Sequence, residues 1–122
     1  MGLDMYAFVT TEAPATAVDF GELAGREPLH YWRKHPDLHG WMEKLYFEKG
    51  GKDEDFNLSP VRLDSADIDQ LEAAIIAKEL PDTSGFFFGD SDGSERDDDL
   101  AFIAKARAAL AAGLTVIYFA WW

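Results

Sequence analysis

The chain has 122 residues, the size of one ordinary domain, and its 48% hydrophobic content, with nine Phe, four Tyr and four Trp, excludes general disorder. A net charge of -12, from 23 acidic against 11 basic residues, repels phosphate backbones and anionic membranes, so direct nucleic-acid binding is not expected. The absence of cysteine excludes disulfides and thiolate chemistry, and no apolar run approaches the roughly 20 residues that a membrane span requires.

Residues 3–10 alternate, with Leu3, Met5, Ala7 and Val9 on one face and Asp4, Tyr6, Phe8 and Thr10 on the other. Period two with aromatic and β-branched content predicts a strand, and bulky groups on both faces predict a central one. Asp4 is then a carboxylate that must sit at the sheet rim or find a partner. Thr11 to Pro28 carries Pro14, Gly21, Gly25 and Pro28 among small and acidic residues, and reads as a long connection of the kind that is either functional or mobile. Leu29 to Arg33 follows in an extended or turn conformation.

The clearest helix starts at Pro36. Leu38, Trp41, Met42, Leu45 and Tyr46 recur at the spacing of a single apolar stripe, His35 stands at the N-cap, and Gly50 and Gly51 close the helix. Within Asn57 to Leu63, Pro60 restricts any strand to an edge or to the residues after the proline. Asp64 caps a second helix with Asp67 at its third position, an apolar stripe of Ile68, Leu71, Ala74 and Ile75, and a stop at Pro81. Three phenylalanines stand between glycines at Gly85 to Gly89, followed by an acidic run to Asp99. A third helix is predicted over 95–112 with Leu100, Ile103 and Leu110 inward. Leu114 to Ala120 is apolar on both faces and predicts a second central strand, ending in Trp121-Trp122.

This order predicts an α+β fold in a single domain of residues 1–122. It would be a small, mainly antiparallel sheet of three to four strands, with mixed pairing as the alternative, and about three helices on one face. The N-terminus lacks the basic flank and apolar run of a signal peptide, and the expected compartment is the cytoplasm.

Several constellations bear on function. His35, His39 and Glu43 stand at i, i+4 and i+8, which is a metal-site spacing. Pro-Asp-Leu between the histidines departs from the known motif, however, and a cap plus a boundary histidine near Tyr46 explains the pattern without a metal. The run Asp90-Ser91-Asp92-Gly93 lacks an oxygen ligand at the first calcium-loop position, where Phe88 falls, and reads as a solvated turn. Asp97, Asp98 and Asp99 then complement the positive end of the third helix. Trp32 beside Arg33 is either an interface pairing or a core tryptophan next to a salt-bridged arginine, with Asp4 as the partner. Trp121-Trp122 is either packed under the long loop or part of a patch completed by a second copy in a homodimer.

The opening Met-Gly-Leu-Asp-Met-Tyr at 1–6, Tyr-Trp-Arg-Lys at 31–34 with His39 and Trp41 following, and Gly-Phe-Phe-Phe-Gly at 85–89 occur in one order along nearly the whole chain. In this the chain resembles a family of small uncharacterised proteins from bacteria and bacteriophages. The resemblance implies a shared polar-aromatic site, and the binding candidates are Asp4, Trp32, Arg33, His39 and Phe87. No catalytic residue, metal ligand or cofactor is assigned. The expected function is a non-enzymatic domain that binds a protein or small-molecule partner. The alternatives are a small enzyme using His39 and Asp4 as acid–base groups and an acidic mimic of nucleic acid.

Overall fold

The computed structural model describes residues 3–21, 23, 25–81 and 95–122. They form β1 (Asp4–Thr10), β2 (Glu27–Arg33), α1 (Pro36–Glu48), β3 (Val61–Leu63), α2 (Ser65–Ala77), α3 (Arg96–Ala111) and β4 (Thr115–Trp121). The strands make one sheet in the order β2-β1-β4-β3, with every neighbouring pair antiparallel. β1 and β4 are the two central strands, as their two-sided apolar content predicts. The Gly85 to Gly89 element, Phe87 and the Asp90 to Gly93 turn lie outside the described residues.

The pleat divides the sheet into two unlike faces. Met5, Ala7, Trp32, Val116, Tyr118 and Ala120 are buried on the inner face. There they pack with Leu38, Met42 and Tyr46 of α1, Ile68 and Leu71 of α2, and Phe102, Ile103 and Ala106 of α3. The alternate positions Asp4, Tyr6, Phe8, Tyr31, Arg33, Phe119 and Trp121 are only half-buried or exposed. All three helices therefore cover one face, and the aromatic residues of the other face are left for a loop to cover.

Local chemistry sets most of the element ends. Pro36 opens α1 after His35, and Gly50 follows the helix at φ +95°. The Gly50 and Gly51 N–H groups donate to Phe47 and Tyr46 carbonyls at 3.0 and 2.9 Å, which satisfies two of the last free acceptors. α2 opens with a reciprocal cap: Asp64 accepts from the Asp67 N–H and Asp67 from the Asp64 N–H, each at 2.9 Å. Its end differs from the expected stop at Pro81. Lys78 takes a left-handed conformation at φ 58° and ends the helix at Ala77.

Two further expectations are corrected. Glu27 and Pro28, read as the tail of a loop, belong to β2. The proline is tolerated because β2 is at the end of the sheet and a bulge interrupts its pairing with β1 beside Pro28. In α3 the buried residues are Asp99, Phe102, Ile103, Ala106 and Ala109, while Leu100 and Leu110 are only partly buried.

The connection from β1 to β2 follows an informative path. It leaves the sheet centre and pins itself along β3, where Val18 bridges Val61 and the Ala17 carbonyl accepts from the Arg62 N–H at 2.9 Å. It must then return to β2 at the opposite side of the sheet. Phe20, Gly21, Leu23 and Arg26 do so over the outer face, where they meet Phe8, Ile117 and Phe119.

Candidate functional site

The residues expected to converge lie on opposite faces of the sheet. Asp4 and Arg33 are cross-strand neighbours on the outer face, with Arg33 Nε 3.8 Å from Asp4 Oδ1. Tyr31 donates its hydroxyl to Asp4 at 2.6 Å, and this hydrogen bond to a carboxylate raises the Tyr31 pKa. Trp32 points the other way and is buried. Its Nε1–H donates to Asp99 Oδ1 at 3.1 Å, and its ring meets Phe102 edge-on with centroids 4.8 Å apart. Of the two readings of the Trp32–Arg33 pair, the structure therefore has the core tryptophan beside a salt-bridged arginine.

His39 is also internal. Its Nδ1 lies 2.7 Å from the Tyr118 hydroxyl and its ring stacks on Phe56 at 5.0 Å. Burial lowers its pKa to about 4 and holds that of Tyr118 well above its ordinary value, so both are neutral at neutral pH. The acid–base pairing of His39 with Asp4 is not assembled, because the sheet stands between them. Nor do the three residues of the metal spacing gather. His35 turns to Asp99, and among the described residues no group of three or more His, Asp or Glu can hold a metal ion.

Asp99 stands in the first turn of α3, as expected from its place at the positive end of that helix, and the structure adds that it is buried. It is 2% exposed and receives Trp32 on one oxygen and His35 Nε2, at 2.8 Å, on the other. A buried carboxylate requires such partners. These partners lie 67 and 64 residues away in sequence, so no local pattern identifies them. The network ties the start of α3 to β2 and to the start of α1, and so stiffens the helical layer behind the sheet.

The outer face has a different character. Tyr6 stacks on Phe8 at 5.8 Å, packs against Tyr31 at 5.2 Å, and Phe8 meets Phe119 at 6.5 Å. Tyr31 and Trp121 are 50% and 57% exposed, which is unusual for side chains so large. Between this sheet surface and the returning connection lies a cavity of about 300 Å³, lined by Phe8, Phe20, Gly21, Leu23, Arg26, Leu58, Pro60, Ile117 and Phe119. Arg26 is its one charged side chain among the described residues, with Cζ 4.8 Å from the centre of the Phe8 ring. A second groove of about 280 Å³, between α1 and α2, is lined by Trp41 and Leu45 among Lys44, Glu48, Gln70 and Glu79, with charges of both signs.

Sequence reading missed Arg26, Phe20 and Leu58. The available signal was the alternation in β1, which already puts Tyr6 and Phe8 opposite the core, together with the length of the 11–28 connection. Chemically, the outer face offers flat apolar contact, the guanidinium of Arg26 beside Phe8 and the Asp4–Arg33 pair. Among the described residues it presents no nucleophile–base pair. No protein-family model, curated protein or solved structure matches this chain.

Proposed function

We propose that this is a non-enzymatic binding domain of bacterial or bacteriophage type whose site is the outer face of the sheet, around Tyr6, Phe8, Tyr31 and Phe119. One observation carries the reading: among the described residues, a layer of aromatic side chains on the central strands has no helical cover and borders a partly open cavity. Water-facing aromatic clusters are costly to leave exposed, and where they surround a concavity they serve recognition. The Asp4–Arg33 pair and Arg26 border this surface and supply polar contacts at its rim. The acid excess elsewhere keeps the domain soluble and turns polyanions away. No helix among the described residues is long and apolar enough to cross a membrane, and the site needs none.

A ligand-observed NMR screen of small aromatic fragments tests this. Wild-type protein should yield hits that Phe8→Ser and Tyr31→Ala remove without loss of the folded spectrum. Ile76→Ser, at an exposed position on α2, should keep them. Hits that survive Phe8→Ser and Tyr31→Ala would place recognition elsewhere and end the proposal.

A further inference from the structure

We propose that the free edge of β2 pairs antiparallel with the β2 edge of a second copy of the chain, joining the two sheets into one across a twofold axis. The proposal concerns the margin of the sheet and stands independently of what the outer face binds. β2 is the first strand in the sheet order, so only one of its two sides is paired, with β1. Its seven residues offer about 23 Å of edge.

The register shows which backbone groups this edge presents. Met5 and Ala7 stand opposite Trp32 and His30, and the Lys34 N–H donates to the Leu3 carbonyl at 2.8 Å. In an antiparallel ladder such alternate residues turn their N–H and C=O groups to the neighbouring strand, and the residues between them turn theirs away. Tyr31 and Arg33 therefore direct both groups outward, and among the described residues nothing bonds to them there. An unpaired edge of this kind is a template for another strand. Pro28 and the bulge beside it blunt only the start of β2 and leave 29–33 open.

What fits this edge is the strand itself. β2 carries one acid, Glu27, at its start and one base, Arg33, at its end, and both are exposed. Antiparallel self-pairing lays the Arg33 end of each copy beside the Glu27 end of the other, and the twofold repeats that opposite-charge contact. Among the described residues the Glu27 carboxylate has no hydrogen-bond or ion-pair partner, and the Arg33 guanidinium meets only Asp4, at 3.8 Å. The two charges of β2 also cancel, which matters in a chain of net charge -12, whose acidic surfaces repel their own copies. Tyr31, half-exposed within the open segment, meets its own counterpart across the axis. The cross-strand row of Phe119, Tyr6 and Tyr31 then continues into the second copy.

Sedimentation from micromolar to millimolar protein tests the pairing, with amide hydrogen exchange as the local readout. The wild type should form a dimer in which the Tyr31 and Arg33 amides exchange more slowly as the concentration rises. Arg33→Glu and Glu27→Arg should each weaken dimerisation about tenfold or more, because each sets like charges against one another across the axis. The double variant, and an equimolar mixture of the two single variants, should restore it, which a merely structural role for either residue would not produce. Trp121→Ser, on the outer face of β4, should leave the dimer unchanged. A chain that stays monomeric to millimolar concentration overturns the proposal, as does a dimer indifferent to both charge reversals. A dimer that Trp121→Ser abolishes and that leaves the two amides unprotected also overturns it, since the outer face would then be the contact.

Discussion

The protonation of His39 offers the sharpest test of the inner face. The side chain is 1% exposed, bonded to the Tyr118 hydroxyl and stacked on Phe56, and burial lowers its pKa from 6.5 to about 4. In the unfolded chain the imidazole titrates at its ordinary value. Between pH 6.5 and about 4 the unfolded state therefore binds a proton that the native state refuses. The contribution to stability is complete above pH 6.5 and is lost as the pH falls through that window. Below about 4 both states are protonated and the loss stops. At about 1.4 kcal/mol per pH unit, the whole effect is on the order of 3 kcal/mol. Urea unfolding at about pH 7 and about pH 4.5 measures it, with His39→Gln as the reference that cannot titrate. Wild type should lose about 2–3 kcal/mol more than the variant between the two conditions. Every other group is common to the two proteins and cancels in the comparison. If the two proteins lose stability in parallel, His39 is not held neutral in the core and this reasoning is wrong.

Other perturbations follow from the same structure. Trp32→Phe keeps the ring packing but removes the donor to buried Asp99, and should cost about 1–3 kcal/mol in chemical denaturation. An unchanged midpoint would mean that the indole bond contributes nothing. Arg33→Ala, by contrast, removes half of an exposed ion pair and should change stability by less than about 1 kcal/mol. A larger loss would show that the pair is structural. Gly51→Ala should destabilise by about 1–3 kcal/mol, because its new methyl would collide with the Tyr46 ring, which is held by Asp19 and by the Lys52 and Asp53 N–H groups. A thermal midpoint equal to wild type would show that the ring can move aside.

What the sequence made legible was whatever depends on near neighbours. Apolar content on both faces identified β1 and β4 as central, Pro36 and the Gly50–Gly51 pair bounded α1, and the Asp64–Asp67 box opened α2. What it concealed depends on partners far along the chain. The start of β2, at Glu27 and Pro28, reads as loop because a terminal strand with a bulge tolerates Pro28, and its hydrogen bonds come from β1, not from its own pattern. Lys78 gives no compositional sign that it will end a helix in a left-handed turn. Asp99 sits in an acidic run that looks solvated, and only the approach of Trp32 and His35 brings it inside. The site was half legible for the same reason. Asp4 and Arg33 do pair, as the sequence suggested, but Trp32 and His39 belong to the other face. Arg26 is brought to the outer face by a connection whose path no local rule encodes.

The central claim is that recognition occurs on the aromatic outer face of the sheet and not among the helices. Soaking crystals of the protein in a cocktail of small aromatic fragments tests it most directly. The account expects ligand density between Phe8, Phe20, Ile117 and Phe119, beside Arg26. Density confined to the charged groove of Trp41, Lys44, Glu48 and Glu79 would contradict it.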